Sequence, residues 1–282
     1  MPWSSPTRRP LPLILIRGFG GLDVEEERAV AYQGFNDGTV YPQKRGENYI
    51  YEGFILRYLK SSWSYQDATN VIGYYGSPLG DEPLSIPPEL AKLGKGYFSG
   101  DKVVVDPAMA LHLLKSPNDP LRTLWVFRYY DLNDRKFDVY GRALVRLIDL
   151  IRDLAALKGI PKPKVNIIAH SMGGLLVREA VQRTYPGQGL AADDYINKIV
   201  TLGTPHQGIS FQILQNWIRI PAEKELEHFN PKFQSSKKPE AFGQFKEKFP
   251  LDRLLTIVGT NYRTYSVRAA STLNRLFSLA AR

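Results

Sequence analysis

The sequence predicts an α/β protein with a mostly parallel, doubly wound sheet, and three observations carry that reading. Short, almost wholly apolar runs recur at residues 11–16, 123–129, 165–169, 197–202 and 254–258. Long stretches between them place apolar residues at helical spacing, most clearly Leu144, Leu147, Ile148, Ile151, Leu154 and Ala155. One run, Val165-Asn166-Ile167-Ile168-Ala169, stops abruptly at His170-Ser171-Met172-Gly173-Gly174, where a helical pattern begins at once. Strands buried on both faces read as continuous apolar runs. Their alternation with helices means a parallel sheet covered on both sides.

The elements follow in order. Residues 1–10 hold three prolines and two arginines and read as a flexible lead into a single domain, 11–282. Residues 11–16 form a buried strand that runs into Arg17-Gly18-Phe19-Gly20-Gly21. Asp23 and Glu25-Glu26-Glu27 lie close behind those glycines, a poor setting for a pyrophosphate, so a dinucleotide site is rejected. The first insertion spans about 34–120. It contains a helix over 49–60, with Ile50, Phe54, Ile55 and Tyr58 on one side, a short strand over 70–75 and another over 102–105. A Pro/Gly-rich loop or lid covers 76–100. Its many tyrosines and Trp63 read as packing rather than a binding platform, and His112 also reads as packing.

From residue 122 the pattern is clear. A strand over 123–129 precedes a long amphipathic helix over 139–158, stopped by Gly159 and Pro161. The 165–169 strand and its helix, ending near Tyr185-Pro186-Gly187, come next. A buried strand over 197–202 leads into Gly203-Thr204-Pro205-His206, and the last strand covers 254–258. The second insertion, 207–252, begins with Phe211, Ile213, Leu214, Trp217, Ile218 and Ile220. That fits a lid over a hydrophobic pocket, or equally a peripheral helix on the sheet.

Composition narrows the function. The 282 residues contain no cysteine, so disulfides, thiol chemistry and Cys-based metal sites are excluded. The net charge of +9 is spread along the chain; Arg8-Arg9 and Lys237-Lys238 are thin clusters, and no nucleic-acid module is visible. Weak attraction to an acidic membrane surface stays open. The early apolar run is too short for a signal-peptide core or a membrane span, so a cytoplasmic location is expected.

Ser171 is the candidate centre of chemistry. One reading makes it a helix cap after a buried strand. The other makes it a nucleophile on a sharp strand–turn–helix bend, with small residues two before and two after it, here Ala169 and Gly173. No ordinary cap requires Gly173 and Gly174 together, which favours the second. A serine hydroxyl needs a base to take its proton and donors for the developing oxyanion. The N–H of Met172, directly after the serine, supplies one donor. The N–H of Phe19 is placed for the second, because Gly18 lets the backbone come close.

With these pieces in hand, the chain resembles the lipase-like α/β-hydrolases, in particular bacterial triacylglycerol lipases and deacylases related to GPI inositol-deacylase. The residues that carry the resemblance are Arg17-Gly18-Phe19-Gly20-Gly21, Ile168 to Gly174, and Thr201-Leu202-Gly203-Thr204-Pro205-His206. It implies an α/β-hydrolase fold, Ser171 as nucleophile, Phe19 and Met172 as oxyanion donors, no cofactor, and esters with acyl chains as substrates. The expected function is a serine esterase or lipase acting on a hydrophobic ester or lipid. An acyltransferase, or a lipid-binding or scaffold protein that keeps the fold, is the alternative.

One departure is large. The family places its acid and histidine after late strands, yet residues 259–282 contain no Asp, Glu or His. The resemblance therefore implies a chain that lacks the last strand. The four histidines are His112, His170, His206 and His228. His170 is expected to turn away from the pocket, and His228 falls in the second insertion. His206 is the candidate base, with a loop histidine bonded to backbone as its plainer reading. Three accounts follow: a missing C-terminal part, an atypical base such as His206, or binding without catalysis.

Overall fold

The computed structural model describes residues 10–18, 52–68, 86–93, 96–98, 105, 107–127, 136–206 and 241–258. Among these residues six strands, all paired in parallel, form one sheet in the order β2-β3-β1-β4-β5-β6. They are β1 (Leu13–Ile16), β2 (Gln66–Asp67), β3 (Thr123–Phe127), β4 (Val165–His170), β5 (Ile196–Leu202) and β6 (Leu254–Ile257). Every residue of β1 and β3 is buried, as their unbroken apolar runs demand.

The two faces carry separate cores. On one, Ile14, Ile16, Trp125, Phe127, Val165, Ile167 and Ala169 meet α4 (Phe137–Leu157) and α5 (Met172–Glu179). On the other, Leu13, Leu15, Leu124 and Val126 pack with Ile55, Tyr58 and Leu59 of α1 (Glu52–Lys60) and with Tyr65. α4 ends as its sequence requires. Gly159 takes φ +77°, and the N–H groups of Gly159 and Ile160 return to the carbonyls of Ala156 and Ala155, both at 3.0 Å.

α5 continues through a π turn (Ala180–Thr184) into a last turn, α6 (Tyr185–Gly187). Pro186 cannot donate to the carbonyl four residues back, and its ring crowds that carbonyl. The preceding turn widens in response. Among the described residues, no helix is long and apolar enough to cross a membrane.

Several expectations need correction. The 76–100 stretch is more than loop: α2 (Pro88–Ala91) lies within it, started by a proline at its first turn, and Leu90, Leu93, Tyr97 and Phe98 are buried in the main core. Within the 34–120 segment the structure also places a sheet strand, β2, and a helix, α3 (Pro107–Lys115), which the sequence pattern did not single out. His112 on α3 is exposed, not packed, because it faces away from the buried Ala110 and Leu113. Trp63 is also exposed.

The sheet is not covered throughout. Among the described residues β6 is an edge strand; its Leu255 and Ile257, and Val258 directly after it, are 55%, 48% and 64% exposed. The end of the second insertion packs on the core through Phe245 and Phe249, while its apolar start, which fits a lid or a peripheral helix, lies outside the described residues. The strand expected over 70–75, most of that over 102–105, and residues 207–240 and 259–282 lie outside the described residues.

Candidate active site

β4 delivers the candidate centre. Its side chains alternate, with Val165, Ile167 and Ala169 in the main core and Asn166, Ile168 and His170 on the opposite face. The ladder continues one residue past the strand: the Ser171 N–H donates to the Leu202 carbonyl at 2.8 Å, pinning the bend to β5. Ser171 then takes φ +51° and ψ −124°, a conformation open to glycine and strained for any other residue. Its side chain is half-buried and makes no capping hydrogen bond to the helix it precedes. A capping serine has extended backbone and bonds a first-turn N–H. Ser171 does neither.

Three glycines let the chain close around this bend, each against a different neighbour. A Cβ on Gly18, at the end of β1, would lie 2.9 Å from Ser171 Cβ and 3.0 Å from His170 Nδ1. On Gly173 it would meet the Arg17 carbonyl at 2.5 Å and the Ile16 carbonyl at 2.9 Å, both backbone and unable to yield. On Gly174 it would fall 2.1 Å from Thr204 Oγ1. The end of β1, the bend and the loop after β5 therefore touch at one point. Met172 opens α5, and its N–H belongs to the first-turn donors that have no intrahelical acceptor. Phe19 lies outside the described residues, directly after Gly18.

The histidines divide. His206 is buried behind the rim. Its Nε2 sits 2.9 Å from Thr201 Oγ1, and that hydroxyl donates on to Thr256 Oγ1 at 3.2 Å. Its carbonyl accepts from Arg178 Nη1 at 2.6 Å. Burial, with the Arg178 charge adding to it, lowers the ring's pKa to about 4. His206 is thus neutral, a weak proton acceptor, and engaged with a threonine. His170 is half-buried beside Gly18; burial and then Arg17 lower its pKa too. His228 lies outside the described residues.

Two carboxylates are buried among the described residues, and both are paired. Asp153 accepts from the Tyr97 hydroxyl at 2.9 Å and bonds Lys162. Glu179 pairs with Arg183 at 3.2 Å. No group of three or more His, Cys, Asp or Glu among the described residues is arranged to hold a metal ion.

The sequence reading missed the polar pair Arg178 and Gln182, both buried in the helix after the bend. The signal was present: Arg178 and Gln182 stand four apart, with Glu179 beside the first, in the mostly apolar stretch Leu175-Leu176-Val177-Arg178-Glu179-Ala180-Val181-Gln182.

A parallel sheet flanked by helices on both faces, with a strained serine between strand and helix at its centre, defines an α/β-hydrolase fold. Residues 115–244 match the family model of the PGAP1-like alpha/beta domain, in line with the resemblance drawn from the motifs. Two solved structures align with the chain. The product of gene lin2722 from Listeria innocua is 13% identical, over 88% of this chain and 83% of its own, with a TM-score of 0.40. The mature form of the lipase BlEst2 from Bacillus licheniformis is 12% identical, over 100% of this chain and 83% of its own, also at 0.40. Likenesses that weak say nothing of chemistry. No curated protein matches the sequence.

Proposed function

We propose that the chain is a serine esterase or lipase that cleaves hydrophobic carboxylic esters through an acyl-enzyme. Ser171 is the nucleophile, and the N–H groups of Met172 and Phe19 receive the oxyanion. One observation carries this reading: Ser171 holds a glycine-type backbone conformation without making the cap bond that would justify a serine there. Strain of this kind is kept where the surroundings enforce it, and here Gly18, Gly173 and Gly174 let three segments press on the bend. The match to the PGAP1-like domain and the motif resemblance to lipase-like hydrolases support an ester-bearing lipid as substrate.

In the reaction Ser171 Oγ attacks the ester carbonyl as a base removes its proton. The carbonyl oxygen takes up the charge, and the alcohol leaves with the proton. Water then adds to the acyl-serine, the bond to Ser171 Oγ breaks, the carboxylic acid leaves, and the serine oxygen takes back a proton. Removing one oxyanion donor costs about 10²–10³ in rate. His206 as described is poorly suited to be the base, with its Nε2 on Thr201 and its pKa near 4.

The test is labelling with a fluorophosphonate probe. The reading expects one adduct, on Ser171, absent in Ser171→Ala and retained in His206→Gln. Loss of labelling in a folded His228→Gln variant assigns the base to His228. A folded wild-type chain that never labels overturns the hydrolase reading for this chain.

A further inference from the structure

Arg178 and Gln182 are 1% and 2% exposed, which is rare for such side chains unless each polar atom has a task. Their bonds point to one. Arg178 Nε donates to Gln182 Oε1 at 2.9 Å, and Arg178 Nη1 donates to the His206 carbonyl at 2.6 Å. Gln182 Nε2 donates to the Ala241 carbonyl at 2.8 Å. His206 and Ala241 are the residues on either side of 207–240. Two neighbouring side chains on one helix therefore hold both ends of a long insertion.

The same helix begins at the Ser171 bend, and the first of those ends is tied to it twice more. Thr204 fills the space over Gly174, and Leu202 accepts the Ser171 N–H. Arginine suits this place because its rigid fork can serve two acceptors from one position, and its charge strengthens both bonds. Gln182 lies inside the π turn, where the wider helix leaves its carboxamide directed to Ala241.

We infer that Arg178 and Gln182 act as a single clamp that holds His206 and Ala241, the residues flanking 207–240, on the helix following Ser171, and so sets the rim that residues 203–206 form beside the bend. Both are positioning residues; neither touches the reacting atoms. The consequence for substrate rests on Ser171 being the nucleophile. The clamp itself does not.

The test uses the full chain and two conservative variants, Gln182→Met and Arg178→Lys, with two readouts. The first is hydrogen–deuterium exchange at 203–206 and 241–249, with 140–157 as reference. The bond from Gln182 reaches Ala241 and the bond from Arg178 reaches His206, so a single clamp requires Gln182→Met to speed exchange at both ends, by about tenfold for one lost hydrogen bond, while 140–157 holds. Faster exchange at 241–249 alone, no change, or an equal rise in 140–157 overturns the clamp.

The second readout is the labelling rate of Ser171 with short- and long-alkyl fluorophosphonates. The long probe slows about tenfold in either variant, and the short one changes by less than about twofold. Equal slowing of both probes, or of neither, overturns the role at the rim. If the wild type does not label, the nucleophile reading and the rim role fail together, and exchange still decides the clamp.

Discussion

Replacing Ser171 by glycine and by alanine separates strain from chemistry at the bend. Both variants lack the hydroxyl, so both should resist fluorophosphonate labelling. They differ in what the backbone must tolerate. At φ +51° and ψ −124° Ser171 occupies the mirror image of the extended region, which glycine reaches freely and alanine does not. Holding a non-glycine residue there costs about 1–3 kcal/mol. Glycine gives back about 0.4–1 kcal/mol through the greater freedom of its unfolded chain. The difference leaves Ser171→Gly more stable than Ser171→Ala by about 0.5–2 kcal/mol. Urea unfolding followed by tryptophan fluorescence measures it, because Trp125 is buried in the core beside β1. The midpoint should rise from alanine to glycine at constant slope. If alanine proves equal to or more stable than glycine, the bend holds no strain, and the argument that selects Ser171 over an ordinary cap loses its basis.

Other outcomes follow from the same contacts. Gly174→Ala should lower stability by about 1–3 kcal/mol through overpacking against the buried Thr204. Gly187→Ala, where a Cβ meets nothing within 4 Å, should raise stability by about 0.4–1 kcal/mol in the same urea assay. Acid should also weaken the fold through His206. Its folded pKa of about 4 lies below the ordinary 6.5, so the unfolded chain takes up the proton first. Its contribution is complete above about pH 6.5 and is lost as pH falls toward 4, by about 3 kcal/mol. His170, lowered by burial, acts in the same direction. Urea midpoints between pH 7 and 4 should fall less steeply in His206→Gln, and an unchanged slope would refute burial of a neutral ring.

The sequence by itself determined the parallel sheet, because β1, β3 and β4 are written as apolar runs that only a two-sided core satisfies. It also determined the long helix α4 with its glycine stop, and the small residues around Ser171, since local spacing and turn chemistry leave few other readings. Tertiary structure alone decided why those small residues are needed. Gly18, Gly173 and Gly174 answer to Ser171, the Ile16–Arg17 backbone and Thr204, all three distant in sequence from the glycine they face. It decided that 66–67 pairs as β2 and that 107–115 coils as α3, because two sheet residues and a weakly patterned helix carry too little periodicity to be seen alone. It decided as well that His206 is neutral and engaged, a property set by burial and by Arg178 from another element. Strand and helix signals live in neighbouring residues. The state of a side chain depends on which distant groups exclude water from it.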